Sequence, residues 1–246
     1  MIRSFYFALQ FLTRLPVPTD DQMLSEREQG QSLLYYPFVG LLLGLLLVTV
    51  DSFLGGTEPP LRAVLLLVIW VMLTGALHID GLADMADAWI GGLGSRERTL
   101  EIMKDPRCGP VAVAAVVLLL LVKFAALDSL LSHEHWESVL LAPMLGRLGL
   151  VAVFRFLPYV RPSGLGSTLA ANVPVTETGW VFLASFLFCL LIAGWGALWL
   201  LVSVFGLFYL FRHSVISRTG GFTGDMAGAL CEVIEATVLV VAALLI

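Results

Sequence analysis

Three aspartates, Asp80, Asp84 and Asp87, stand in "LHIDGLADMADAW" (Leu77–Trp89), directly after a long apolar run. On a helix at about 100° per residue they fall within an arc of about 60°. Three like charges on one stripe repel one another and destabilise a bare helix. A cation resolves the conflict. Mg²⁺ is the economical choice, because it takes carboxylate oxygens together with substrate phosphates. A solvated acidic face is the alternative, but such a face rarely alternates its carboxylates with Leu82, Met85 and small residues; Gly81, Ala83 and Ala86 allow close approach by a helix or a ligand. The next segment, "RTLEIMKDPRCGP" (Arg98–Pro110), adds Glu101 and Asp105 as an i,i+4 pair, with Lys104 and Arg107 beside them. Carboxylates for a metal next to cations for phosphate suit phosphoryl transfer, whose catalysis is positioning and charge neutralisation. Ordinary ion pairs on a helix surface would use the same residues. Pro106 and the Gly109-Pro110 pair are expected to stop this helix.

A second polar stretch, "RTGGFTGDMAGALCEVIEA" (Arg218–Ala236), feeds a glycine-rich loop into a helix near Asp225. Backbone N–H groups at such a helix start can hold an anion. Asp225 and Glu232 share a face, with Glu235 about 80° away from Asp225. Glu232 and Glu235 lie about 10 and 15 Å along an apolar segment, and Arg147 lies at a similar depth, about 15 Å into another. Carboxylates inside a membrane are expensive and are paired or functional. An Arg147–glutamate ion pair is therefore expected, and structural pairing and active-site duty are equally open for Arg147, Glu232 and Glu235. Lys123 falls near the outer leaflet, where it can snorkel. His78, two residues before the stripe, can orient a carboxylate or exchange a proton; a satisfied interfacial histidine is the plainer reading. His133 and His135 in "SHEHWES" read as an exposed polar loop, and Cys108, Cys189 and Cys231 as small apolar fillers.

These residues must be positioned by membrane helices. Of the 246 residues, 59% are hydrophobic and 13% charged, against about 25% charged in an ordinary soluble domain. A net charge of −5 argues against a nucleic-acid partner, which demands a basic face. The lipid bilayer is the expected surrounding. Apolar runs place spans at Tyr35–Leu54, Leu61–His78, Pro110–Leu127, Val139–Leu157 and Asp225–Ile246. The 33 residues of Gly179–Phe211 would make one helix about 50 Å long, too long for a core about 30 Å thick. Breaking that run at "GWG" (Gly194–Gly196) gives seven spans. With the N-terminus inside, ten Lys and Arg residues then sit in cytoplasmic segments and Arg62 alone outside, a strong positive-inside bias. Each half of the broken run is short for a span. "FYFALQFL" (Phe5–Leu12) is too short to cross and reads as an interfacial helix. The expected fold is an all-α polytopic bundle, one membrane domain over 1–246, with its active site at the cytoplasmic face built from 79–109 and 218–235.

The chain resembles the cobalamin synthase family, the adenosylcobinamide-GDP ribazoletransferases. The likeness runs nearly end to end, through "FLTRLPVP", "YYPFVGLLLG", "HIDGLADMADAWIGG", "LEIMKDPRCGP", "LGRLG", "LPYVRPSGLG" and "GGFTGDMAGALCEVIEA". The family usually has serine after its "MKD" triplet. This chain has Pro106 there, so no role passes to that position, while Lys104 and Asp105 match. The resemblance implies joining of adenosylcobinamide-GDP to α-ribazole, or to α-ribazole 5′-phosphate, with release of GMP. A ribose hydroxyl attacks the phosphorus nearest the corrinoid. It also implies Mg²⁺ and the inner membrane of a prokaryote. On this basis Asp80, Asp84 and Asp87 are expected to hold Mg²⁺ on the pyrophosphate, with Lys104, Arg107 and Arg14 neutralising phosphate oxygens. Asp225 is expected to complete the metal site or take the hydroxyl proton. Asp84, Asp225, Lys104 and Asp105 are thus the catalytic candidates, and Arg14, Arg107, Arg147 and Glu232 the substrate-binding ones. A homo-oligomer is left open. Two other readings carry different expectations. A CDP-alcohol phosphotransferase would need an "AR" and later aspartates that are missing here. An ion-coupled transporter would spread its carboxylates across the bilayer, whereas most are gathered at one side.

Overall fold

The computed structural model describes residues 2–18 and 24–246, and among them the regular structure is helical. The first helix, α1 (Ile2–Leu12), buries Ser4, Ala8 and Leu12, the i,i+4 stripe of an amphipathic helix lying against a neighbour. Arg3 on α1 pairs with Glu28 on α2 (Glu26–Ser32) at 3.2 Å. Ser25 caps α2 through a capping box with Glu28. A short 3₁₀ turn then carries α2 into α3 (Tyr36–Phe53), so that Glu26–Phe53 forms one continuous helical rod of 28 residues, polar at its start and apolar beyond.

Six helices are long and apolar enough to cross a bilayer: this rod, α7 (Pro110–Ser132), α8 (Trp136–Phe156), α10 (Val175–Ala193), α11 (Gly196–Thr219) and α12 (Gly224–Leu244). The chain is a polytopic membrane protein. The break expected at Gly194–Gly196 is present, with Gly194 in a left-handed conformation (φ 53°) between α10 and α11. The two halves are 19 and 24 residues. They are longer than the apolar run suggested because α10 starts before Gly179 and α11 continues past Phe211 into polar sequence.

The expected second span, Leu61–His78, needs correction. Helix α4 (Pro59–Thr74) stops after 16 residues, and α5 (Leu77–Gly91) leaves it at an angle of 89°. Two successive left-handed residues, Gly75 (φ 61°) and Ala76 (φ 57°), make the turn. Hydropathy alone saw one continuous segment. The pair is long and apolar enough to cross only when its two helices are taken together, so the crossings number six, or seven if the bent pair is counted as one.

Helices α3, α8 and α12 form the centre. Gly40 and Gly44 on α3 face Pro143 and Leu140 of α8 so closely that a Cβ at either would strike backbone. Small residues at four-residue spacing let helix backbones pack tightly, which is how van der Waals contact holds helices together in lipid. At the periphery, Trp180, Trp199, Phe205 and Tyr209 on α10 and α11 are exposed, the outward face that hydrocarbon surroundings favour. Two short helices, α6 (Arg96–Ile102) and α9 (Leu165–Ala171), sit with α5 and the start of α12 around one end of the bundle.

Candidate active site

The 89° turn lays α5 against the first turns of α12. The two backbones touch at Gly81, where a Cβ would stand 2.6 Å from the Asp225 carbonyl oxygen. Glycine is required there for the two sets of carboxylates to meet. Asp84 comes within electrostatic reach of Asp225, Asp80 and Asp87, and of one guanidinium, that of Arg161. Asp225 occupies the first turn of α12, whose N-cap is Thr223, its hydroxyl accepting from the Met226 N–H at 3.3 Å. Arg161 donates to Asp225 Oδ2 at 2.5 Å and to the Met103 carbonyl at 3.3 Å. It is held there by a short parallel bridge. Val160 N–H donates to the Phe222 carbonyl (3.0 Å), and Phe222 N–H donates to the Pro158 carbonyl (2.9 Å). The rings of Phe154 and Tyr159 stack on each other and both meet the Phe222 ring edge-on. Burial pushes the Tyr159 phenol above its ordinary pKa.

The other sequence candidates divide. Asp87 accepts two backbone N–H groups, from Gly109 at 2.5 Å and Ala112 at 2.9 Å, and so caps the start of α7 from a neighbouring helix. Asp105 and Arg107 pair with each other. Arg107 Nε lies 2.9 Å from Oδ1 and Nη2 2.5 Å from Oδ2. Hydrogen bonds from this guanidinium and from the Arg107 N–H bring the Asp105 carboxyl down to about 2. The expected Glu101–Asp105 helical pair is absent, because α6 ends at Ile102; Glu101 pairs with Arg98 instead, at 2.8 Å. Lys104 is exposed. Arg14 lies at the α4–α5 turn, its N–H donating to the Leu73 carbonyl at 2.7 Å and its side chain beside Gly75. His133 and His135 are exposed, as expected for their loop.

Arg147 and Glu232 are in the bundle interior and not at the carboxylate cluster. Arg147 pairs with Glu235. Lys123 donates to both Glu232 and Glu235 at 2.5 Å and lies 4.7 Å from the centre of the Trp70 ring. The expected Arg147–glutamate pair is present. Lys123, expected to snorkel to the outer leaflet, is 2% exposed, because two carboxylates of α12 hold it inward. Two cations and two carboxylates balance, so the network avoids the cost of an unpaired charge in an apolar surrounding. Its edge reaches His78, whose Nδ1 stands 3.4 Å from Arg147 Nη2.

A cavity of about 230 Å³ opens beside Asp80 and Asp225. Phe154, Tyr159, Leu150, Leu169 and His78 are among the residues that line it.

Comparison with known proteins decides the family. The family model described as cobalamin-5-phosphate synthase matches residues 4–243. The chain belongs to this family. Curated relatives named adenosylcobinamide-GDP ribazoletransferase include one from Pseudomonas putida (strain KT2440), 54% identical over 96% of both chains. Another, from Stutzerimonas stutzeri (strain A1501), is 52% identical over 95% of this chain and 94% of its own. No solved structure matches. Membership displaces both the CDP-alcohol phosphotransferase and the transporter readings. Arg161, within "LPYVRPSGLG", is a site residue that no sequence motif singled out. The available signal was a lone arginine in a polar segment facing the same side as three aspartates.

Proposed function

We propose that the carboxylate face formed by α5, the start of α12 and the 158–161 segment is where this chain joins adenosylcobinamide-GDP to α-ribazole or its 5′-phosphate. The supporting observation is the convergence of Asp80, Asp84 and Asp225 with one arginine, Arg161, beside an aromatic cavity. A ribose hydroxyl forms the new O–P bond to the phosphorus nearest the corrinoid. The P–O bond of the pyrophosphate breaks, GMP leaves with the electron pair, and the hydroxyl proton passes to a carboxylate.

The residues fit a divalent ion by charge. Among the described residues, no three His, Cys, Asp or Glu side chains converge closely enough to ligate an ion unaided. Mg²⁺ does not need that, since it binds through one or two carboxylates plus substrate phosphates and water. Asp80 and Asp84 would hold it, and when bound it would neutralise charge on the pyrophosphate. Asp87, committed to the α7 backbone, steadies the stripe. Arg161 fixes Asp225 through Oδ2 and leaves Oδ1 to take the hydroxyl proton. Lys104, Arg107 and Arg14 would supply positive charge for phosphate oxygens. Asp105 orients Arg107 by its bidentate pair. Arg147 and Glu232 act at a distance, as structural partners. The whole chain forms one domain in the inner membrane of a prokaryote, with this face and the N-terminus in the cytoplasm, the orientation that the Lys and Arg distribution favours.

The test is GMP release by the purified protein from adenosylcobinamide-GDP and α-ribazole, with and without Mg²⁺. Release that requires both the nucleoside and the ion is expected. Release that persists after chelation would overturn the ion's part, and none from folded protein would overturn the activity.

A further inference from the structure

We propose that the cavity beside Asp80 and Asp225 seats the flat aromatic base of the nucleoside acceptor, with His78 reading the base's free ring nitrogen. The inference rests on the transfer reaction above and adds which substrate this pocket takes and what recognises it. Size excludes the larger partner. A pocket of about 230 Å³ lies below the roughly 300–1,000 Å³ of drug-sized sites, so it admits a bicyclic ring and excludes a corrin macrocycle. Its lining is suited to a flat apolar ring, with Phe154, Tyr159, Leu150 and Leu169 among the lining side chains. Its acidic lining residues are Asp225, placed above as the proton acceptor, and Asp80, placed above as a holder of the ion. A base in the cavity therefore carries its ribose to the place where the hydroxyl must be deprotonated.

His78 supplies the one directional contact. A guanidinium only donates, so the Arg147 Nη2 that lies 3.4 Å from His78 Nδ1 makes that nitrogen the acceptor. The ring proton therefore sits on Nε2, which has no partner among the described residues. The opposite edge of the ring, at Cδ2, lies next to Gly228, itself on the cavity wall. A benzimidazole nucleoside has one unsubstituted ring nitrogen with a lone pair in the ring plane, and Nε2–H is its complement. The buried Glu235–Arg147 pair thus has a purpose beyond stability, because it fixes the tautomer that His78 presents, as an outer partner does for a metal-bound histidine.

The decisive comparison is between α-ribazole and the matching indole riboside, which keeps the bicyclic shape but lacks the ring-nitrogen acceptor. Wild-type protein is expected to prefer α-ribazole by roughly tenfold or more in kcat/KM, the scale of one buried hydrogen bond. His78→Phe should bring the two acceptors within about twofold of each other. A residue with a purely structural role would lower both rates and preserve the ratio. Leu169→Trp, which fills the cavity, should raise the KM for α-ribazole at least tenfold while leaving the KM for adenosylcobinamide-GDP within twofold. Leu165→Phe provides the same test should the tryptophan prevent folding. Binding is also read directly, without turnover, by the change in α-ribazole fluorescence on titration with protein. Active wild-type enzyme whose ratio survives His78→Phe, or whose filled-cavity variants bind α-ribazole normally, would overturn the assignment and leave the reaction intact. A rise in KM for adenosylcobinamide-GDP instead would place the guanine in this cavity and overturn it too. Absence of transfer in wild-type protein would sink the reaction itself and this inference with it.

Discussion

Arg161 is the cation bonded to the carboxylate cluster, and its removal separates two kinds of charge in the protein. Arg161→Ala should cut transfer by roughly 10²-fold, the size of effect seen when one preorganised electrostatic donor is lost from a site. Arg161→Lys should recover part of it, because an ammonium offers a point charge without the guanidinium's planar fork. Activity within threefold of wild type in the alanine variant would remove Arg161 from the site. Lys123 answers to stability. Lys123→Met leaves Glu232 and Glu235 facing Arg147 alone, and breaking a buried pair from one side costs about 3–5 kcal/mol. Unfolding in detergent should show that loss, and Lys123→Met with Glu232→Gln should recover most of it, since removing both partners leaves no charge stranded. A double variant no more stable than the single would refute the pairing. The intramembrane Arg147–glutamate pair was legible in the sequence because depth follows from helix rise. The position of Lys123 was not. Hydropathy counted its distance along α7 from the membrane face, and no rule of sequence told which neighbour's carboxylates it would meet.

At the scale of elements, the turn at Gly75–Ala76 matters most. It converts the end of a span into a helix that lies against α12, and so sets Asp80 and Asp84 beside Asp225. The aspartate stripe and its one-sided spacing could be read from residue intervals of 80, 84 and 87. The turn could not, since Ala76 in a left-handed conformation is a tertiary outcome that local preference opposes. The same limit applies to Asp87. Its spacing marks it as a third carboxylate of the stripe, yet each of its oxygens also accepts a backbone N–H, from Gly109 and from Ala112. Asp87→Ala should therefore destabilise the fold by about 1–3 kcal/mol through the orphaned helix start. Thermal unfolding in detergent checks this. Unchanged stability would show that the cap contributes nothing and return Asp87 to the expected ligand set.

Across the whole molecule, the bundle presents the α5–α12 aspartates, Arg161, Lys104 and the exposed Cys108 around one end. Cys189 and Cys231 are buried, so a membrane-impermeant maleimide should label the native protein at Cys108 alone. Inside-out vesicles should label and intact spheroplasts should not; the reverse pattern would invert the proposed orientation. Fold class and the break between α10 and α11 followed from apolar lengths against bilayer thickness. The bridge of Tyr159 with Phe222 that delivers Arg161 joins residues 63 apart in sequence, and no local pattern encodes it. The central claim is that the α5–α12 carboxylates perform the transfer. Its most direct test is GMP release by wild type, Asp84→Asn and Asp225→Asn at matched Mg²⁺ and substrate, with unfolding temperatures measured on the same preparations. Both variants should fold like wild type and lose at least about 10²-fold in kcat. Well-folded variants that retain wild-type release would contradict the account and move the chemistry to another face of the bundle.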